Sequence, residues 1–157
     1  MKKSLKICLI ALLVVFMAIT LSGCTKHSNK SLTFDVETGD RIQIKLNTAN
    51  KYDITMKAPF EISKNEKKIA EGKFIPIDVY DSYKKIIEDE DAESVGVELI
   101  EKNENSSVEY EMFSYNNGEG NAYIIKIKDS NTGIYLEGKD SKESLKECFG
   151  RLEFSKE

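Results

Sequence analysis

The side chains best suited to covalent or metal chemistry are few in this sequence. It contains three cysteines, Cys8, Cys24 and Cys148, and one histidine, His27. A thiolate can act as a nucleophile or ligate a metal ion. Because no histidine follows residue 27, the remainder of the chain contains no Ser-His-Asp triad, Cys-His pair or histidine-ligated metal site. The cysteines are therefore the first residues to place.

Cys24 ends a segment with three successive parts. Lysines at positions 2, 3 and 6 come first, Ile7 to Ile19 is an uninterrupted apolar run, and Leu21-Ser22-Gly23 places small residues directly before Cys24. The run is too short for a membrane-spanning helix, which needs about 20 residues. The order of the parts is that of a removable signal peptide. A plain secretory signal is the alternative, but it would end in an A-x-A-like site.

The segment resembles a bacterial lipoprotein signal that ends in a lipobox. This resemblance implies that the Cys24 thiol is joined to diacylglycerol, that residues 1–23 are removed, and that Cys24 becomes the mature N-terminus. The protein would then be held on the extracytoplasmic face of the cell membrane by acyl chains. Two chains suffice for stable attachment, since each buried methylene contributes about 0.8 kcal/mol. Cys8 lies in the part that would be discarded.

Charge and length restrict the class of protein. The formal net charge is −4, and without the three lysines of residues 1–23 it becomes about −7. This charge argues against binding to nucleic acid or to an anionic membrane surface. Residues 24–31 are predicted to be the lipidated cysteine and a polar tether. Residues 32–157 are long enough for a single domain, in which Cys148 has no second cysteine for a disulfide.

Most of the predicted domain alternates apolar and polar residues, which is typical of half-buried strands. Leu32, Phe34 and Val36 form the first set. The turn at Thr38-Gly39-Asp40 connects them to a second set, because Gly39 tolerates the positive φ of a tight hairpin turn. We predict seven to nine strands, with the later apolar sets in residues 52–56, 60–62, 69, 74–79, 95–99, 108–112, 122–128, 134–137 and 152–154.

Two helices complete the prediction. The first runs from Ser82 to about Glu90, with Asp81 as its N-cap. The second runs from Ser141 to about Phe149, where Asp140 and Glu143 resemble a capping box. Its apolar residues, which predict a buried face, are Leu145, Cys148 and Phe149. The expected fold class is α+β, an antiparallel β-sheet with two packed helices, one of them near the C-terminus.

No group of residues after Cys24 indicates a reaction. Cys148 is expected to be a small buried hydrophobic residue and not a nucleophile. The acidic run from Glu88 to Glu93 has enough oxygen ligands for calcium but lacks the spacing of an EF-hand loop, so a solvated helix end is the favoured interpretation and weak cation binding is the alternative. The glycines of residues 116–121 predict a hairpin connection and not a phosphate loop. We therefore expect no catalytic residues, no metal site and no cofactor.

Aromatic residues are the remaining candidates for a binding surface. Tyr110, Tyr115, Tyr123 and Tyr135 lie on expected strands. They would form a partner-binding surface if they shared an outward sheet face, and otherwise they would pack at the edge of the core.

The order of elements resembles that of the Mog1/PsbP-like family of small α+β domains. The similar parts are the hairpin Phe34 to Leu46, the segment Ala58-Pro59-Phe60, the strand Phe74 to Tyr80 that leads into a helix, and the closing helix Asp140 to Leu145 with the strand Leu152 to Phe154. Members of this family are mostly non-enzymatic accessory subunits and binding modules. The resemblance therefore implies a scaffold for a partner and provides no catalytic residues.

Two functions remain open from the sequence. The leading hypothesis is a lipid-anchored, extracytoplasmic module that binds a protein partner in or near the membrane without catalysis. The alternative is a lipoprotein that binds a small ligand or a cation, using Glu88 to Glu93 or a pocket between sheet and helix.

Overall fold

The computed structural model describes residues 28–157. It contains ten strands and two α-helices. The strands are β1 (Asn29–Asp35), β2 (Arg41–Asn47), β3 (Tyr52–Ile54), β4 (Phe60–Lys64), β5 (Lys67–Pro76), β6 (Glu98–Glu104), β7 (Val108–Tyr115), β8 (Gly120–Ile127), β9 (Thr132–Gly138) and β10 (Leu152–Lys156). The helices are α1 (Ile77–Ile87) and α2 (Lys142–Phe149). The α+β class predicted from the sequence is confirmed.

The strands form two sheets in which every paired neighbour is antiparallel. A three-stranded sheet has the order β1-β2-β10, and a seven-stranded sheet has the order β3-β4-β5-β9-β8-β7-β6. The hairpin turn between β1 and β2 contains Gly39 at φ +86°, as predicted. The hairpin predicted in residues 116–121 connects β7 and β8, and its turn has Asn116, Asn117 and Gly118 at positive φ.

Alternation along the strands separates two apolar cores on opposite faces of the seven-stranded sheet. In β8, Tyr123 and Ile125 face the first core, whereas Ile124 faces the second. The first core also receives the apolar face of the three-stranded sheet and Leu145 and Cys148 of α2. The second core is covered by α1. The seven-stranded sheet is therefore the middle layer of the domain.

Helix α1 lies earlier in the chain than the sequence predicted. It spans Ile77–Ile87, and Asp81 is in its interior and not at its N-cap. Pro76 stands at the N-cap position with an extended backbone. Proline has no N–H to donate and its φ suits the start of a helix, so it ends β5 and begins α1. The predicted strand over residues 74–79 is correspondingly wrong after Pro76.

Helix α2 agrees closely with its prediction, and its N-cap is one residue later. The Ser144 N–H donates to Oγ of Ser141 at 3.2 Å, so Ser141 is the cap in place of Asp140. Leu145 and Cys148 are buried and Phe149 is half-buried, as the apolar spacing predicted.

Three further strand predictions differ from the structure. The ten strands of residues 28–157 exceed the seven to nine that the sequence predicted. Strand β1 begins at Asn29 and not at Leu32, because backbone pairing with β2 does not depend on alternating side chains. The apolar set in residues 95–99 is not one strand: Val95 ends a short 3₁₀ turn, and β6 begins at Glu98. Glycine at position 96 has φ +77° and separates the two elements.

Candidate functional site

A cleft of about 860 Å³ opens where the end of the three-stranded sheet meets β5. Its apolar wall comes from β1, from the loop before β4, and from the junction of β5 with α1. The residues that line it are Phe34, Asp35, Val36, Glu37, Thr38, Ala58, Pro59, Lys73, Phe74, Ile75, Pro76, Ile77, Asp78 and Asn131. Its volume lies in the range of small-molecule and cofactor sites, about 300–1,000 Å³.

Three phenylalanines connect the cleft to the first core. The ring centroids of Phe34 and Phe74 are 5.1 Å apart. The ring centroid of Phe60 lies 5.9 Å from that of Phe34 and 5.6 Å from that of Phe74. These tilted arrangements are favourable for aromatic pairs. Phe60 is fully buried and pairs in register with Gly72. The inner wall of the cleft is therefore built from packed rings that have little freedom to move.

The cleft also has unpaired strand edges. Strand β4 pairs with β5 only as far as Gly72, so the last four residues of β5, 73–76, have a strand partner only in β9. Strand β1 is the edge of the three-stranded sheet and pairs only with β2. Edge strands present N–H and C=O groups that can pair with another chain. An extended segment would find backbone hydrogen-bonding groups beside an apolar wall.

Asp40 fixes the end of the cleft by joining the two sheets. Its side chain is only 6% exposed. Its Oδ2 accepts from the Asn131 N–H at 2.8 Å and the Thr132 hydroxyl at 2.9 Å, and its Oδ1 lies 2.7 Å from Lys156 Nζ. The hydrogen bond with Lys156 is the largest cause that lowers the pKa of the Asp40 carboxyl, and burial opposes it. The β1–β2 turn is thereby held against the β8–β9 turn.

The charged residues around the cleft are mostly acidic. Asp35, Glu37 and Asp78 line it, and Lys73 is the one basic residue in its lining. The Asp35 carboxylate is paired with Arg41 at 3.1 Å. A ligand that carries positive charge beside apolar groups would complement this rim.

A second, smaller pocket of about 360 Å³ lies between α1 and the opposite face of the sheet. Glu111 of β7 and Tyr80 of α1 line it, and each is only 1% exposed. Within residues 28–157, both Glu111 oxygens and the Tyr80 hydroxyl have no hydrogen-bond partner. Lys102 Nζ lies 3.4 Å and Lys84 Nζ 3.8 Å from Glu111 Oε1.

Both lysines near Glu111 have other carboxylate partners. Lys102 is hydrogen-bonded to Glu88, and Lys84 Nζ is 4.0 Å from Glu109. Burial is the main cause that raises the pKa of the Glu111 carboxyl; Glu88 raises it further, while the two lysines oppose the shift. The carboxylate therefore lies in an electrostatically costly position.

The residues singled out in the sequence have varied positions. Cys24 and His27 lie outside the described residues, so the lipidation of Cys24 stays a prediction. Cys148 is fully buried, as predicted, and burial raises the pKa of its thiol to about 12. In Glu88 to Glu93, the Asp91 N–H donates to Asp89 Oδ1 at 2.8 Å. In the part of the chain that the structure describes, no group of three or more His, Cys, Asp or Glu side chains could hold a metal ion.

The tyrosines do not share an outward face. Tyr110 and Tyr123 pack with Phe149 in the first core, with centroids 4.6 and 4.1 Å from that ring. Tyr115 and Tyr135 face the second core on the opposite side of the sheet. Of the two readings left open by the sequence, packing at the core is the one the structure supports.

Comparisons with known proteins identify no family for this chain. No protein-family model matches it, and neither a curated protein nor a solved structure matches it. The resemblance to Mog1/PsbP-like domains therefore stays a prediction. No helix within residues 28–157 is both long and apolar enough to cross a membrane.

The sequence did not reveal either pocket as a site. Phe34 and Phe74 were predicted on strands, but the cleft between them depends on how two sheets pack. Glu111 was missed because it alternates with Tyr110 and Met112, which places it on the face expected to be solvated. One signal could have drawn attention to Glu111. Phe113 lies two residues later and therefore on the same face of the strand, so this face also carries an apolar side chain.

Proposed function

We propose that this protein is a lipid-anchored, extracytoplasmic binding module without catalytic activity, and that it binds an extended segment of a protein partner in the cleft beside β5. The observation that carries the proposal is the unpaired edge of β5 over residues 73–76 along an apolar cleft. An added strand gains affinity from main-chain hydrogen bonds and specificity from alternate side chains in pockets.

The direction of backbone groups in β5 supports strand addition. The Ile69 C=O accepts from the Lys139 N–H, and the Ile77 N–H donates to the Asn131 C=O, both toward β9. Successive residues of a strand direct their backbone groups to alternate sides, so Phe74 directs its N–H and C=O toward the open edge. The same residue contributes its ring to the aromatic wall. A bound segment could therefore pair with the backbone of Phe74 while an apolar side chain enters the cleft.

The expected partner segment is apolar and carries basic residues. The acidic rim favours such a segment over an acidic one, and the mature chain's charge of about −7 also disfavours acidic partners. The lipid on Cys24 would keep the module close to the membrane, so the partner would be an envelope protein. The predicted resemblance to a mostly non-enzymatic family agrees with a binding role.

Crosslinking in intact cells tests the position of the site. A photoreactive amino acid at position 37, which is exposed on the cleft rim, should capture the partner. The same amino acid at Ile86, on the outer face of α1, is the matched control and should capture little of it. Capture mainly from position 86 would contradict binding in the cleft.

The Cys24→Ala chain tests the anchor. It should lose fatty-acid labelling, and it should also lose the partner if anchoring brings the two proteins together.

Binding of the crosslinked segment as a synthetic peptide tests the mode. Val36→Glu places a carboxylate in the apolar wall and should weaken peptide binding at least about tenfold. Val95→Glu is the matched control because Val95 is 70% exposed and does not line the cleft. Methylation of the peptide N–H groups that pair with β5 should also abolish binding. Equal affinity for the two Val→Glu variants would refute the proposed site.

A small apolar ligand is the second candidate occupant of the same cleft. The volume of about 860 Å³ and the apolar lining favour it. Such a ligand would not depend on the backbone groups of β5. A lipid extracted with the purified protein, released by Val36→Glu but not by Val95→Glu, would support this candidate over the peptide.

A further inference from the structure

We propose that the pocket between α1 and the sheet is a second binding site, one that takes a small organic cation with a primary ammonium group through Glu111 and Tyr80. This site is separate from the cleft, and it lies on the opposite face of the seven-stranded sheet. The inference does not depend on the proposed function of the cleft.

The unsatisfied atoms match the chemistry of an ammonium group. The pocket is lined by two residues whose buried oxygens lack hydrogen-bond partners in residues 28–157: Glu111 with both carboxylate oxygens and Tyr80 with its hydroxyl. A primary ammonium carries three N–H donors and no acceptor. Buried polar atoms are normally hydrogen-bonded, and leaving them unpaired costs free energy. A primary ammonium group therefore supplies the donors that Glu111 and Tyr80 lack.

The neighbouring charges favour a cation over an anion. Glu104, Glu109 and Glu111 line the pocket together with Lys84 and Lys102, and Lys102 is also paired with Glu88 beside the pocket. Lys102 is held by Glu88, and Glu104 is paired with Lys128 at 2.9 Å. Four carboxylates thus face three lysines, and a monovalent cation would balance the group.

A metal ion fits the pocket less well than an ammonium. Calcium needs six to eight oxygen ligands, and magnesium needs near-octahedral geometry. No described cluster of three acidic side chains is arranged for such coordination. The volume of about 360 Å³ also leaves room for a short carbon chain beyond the ammonium group.

The test is calorimetric titration of the purified full chain in detergent with 1,4-diaminobutane. We expect saturable binding that weakens at least about tenfold in Glu111→Gln, because a charge-assisted hydrogen bond is lost. Tyr80→Phe should weaken binding less. The matched control is Glu119→Gln, which changes an exposed carboxylate in the β7–β8 turn and should leave the affinity unchanged. Circular dichroism confirms that each variant is folded.

Two further probes define the chemistry. Tetramethylammonium has the charge but no N–H donors, and it should bind much more weakly than methylammonium. Calcium should not compete with 1,4-diaminobutane. The absence of saturable diamine binding would overturn the inference, as would equal binding by Glu111→Gln, equal affinity for tetramethylammonium, or tighter binding of calcium. None of these results would bear on the peptide assays at the cleft.

Discussion

Removal of Asp40 should destabilise the domain more than removal of any exposed acidic residue. The Asp40 carboxylate accepts two hydrogen bonds from the β8–β9 turn and pairs with Lys156. Hydrogen bonds to charged groups contribute about 1.5–3 kcal/mol, and breaking a fully buried ion pair costs about 3–5 kcal/mol. Lys156 keeps 38% of its side chain exposed and can be rehydrated. We therefore expect Asp40→Ala to lower the free energy of unfolding by about 3 kcal/mol.

The effect should depend on pH with a definite sign. The pKa of Asp40 is lowered in the folded protein, chiefly by its hydrogen bond with Lys156. An acid with a lowered folded pKa contributes stability that is fully present above its unfolded pKa, about 3.9. This contribution is lost as the pH falls through the folded pKa. The difference between wild type and Asp40→Ala should therefore be constant near neutrality and shrink below about pH 4.

Urea denaturation of both chains, measured at several pH values, provides the assay. Asp53→Ala is the matched control, because its side chain is 60% exposed and its pairing with Lys30 should contribute at most about 1 kcal/mol. Asp40→Asn keeps the size and one acceptor oxygen, so its cost should lie between the two. The reasoning is refuted if Asp40→Ala and Asp53→Ala cost the same at pH 7, or if the Asp40→Ala difference grows as the pH is lowered.

Three other substitutions and modifications have defined outcomes. Gly72→Ala should lower the free energy of unfolding, measured by urea denaturation, by about 1–3 kcal/mol, because the added Cβ would collide with the ring of Phe60. Gly150→Ala should be tolerated, because the nearest atom to its added Cβ is 3.5 Å away, and equal costs would contradict this packing. Glu111→Gln should raise the free energy of unfolding at pH 7, because burial raises the pKa of the Glu111 carboxyl in the folded protein. This gain should vanish as the pH falls toward the unfolded pKa of about 4.3. A loss of stability would be inconsistent with a costly buried charge. Burial raises the pKa of Cys148 to about 12, so iodoacetamide should label the Cys148 peptide only after denaturation, as mass spectrometry would show; full labelling of the native protein would contradict its burial.

Local pattern predicted the parts of the fold that depend on neighbouring residues. The β1–β2 hairpin follows from alternation around a glycine that tolerates positive φ. The apolar spacing of Leu145, Cys148 and Phe149 predicted which face of α2 is buried. The start of α1 was misplaced because two signals competed: Asp81 is a good N-cap, but Pro76 lies five residues earlier and sets the boundary through its backbone geometry.

The burial of Glu111 shows where alternation fails as a guide to exposure. In a sheet with one solvated face, Glu111 would point to water, because it lies between Tyr110 and Met112 in the alternation. Helix α1 covers that face here, so the same alternation buries a carboxylate together with Phe113. The position of a helix over a sheet is a tertiary property, and the strand's own sequence does not contain it.

The cleft arises from a mismatch in strand length that local sequence encodes only in part. Pro59 has no N–H and precedes β4, so pairing along that side of β5 stops at Gly72. Strand β5 continues to Pro76 because β9, which lies far along the chain, pairs with its residues 70–76. Pro59 and Pro76 are visible in the sequence. Their relative position in the folded sheet is not, because it depends on the register of three strands. The unpaired edge is thus a consequence of remote pairing, and this is why the candidate site could be located only from the structure.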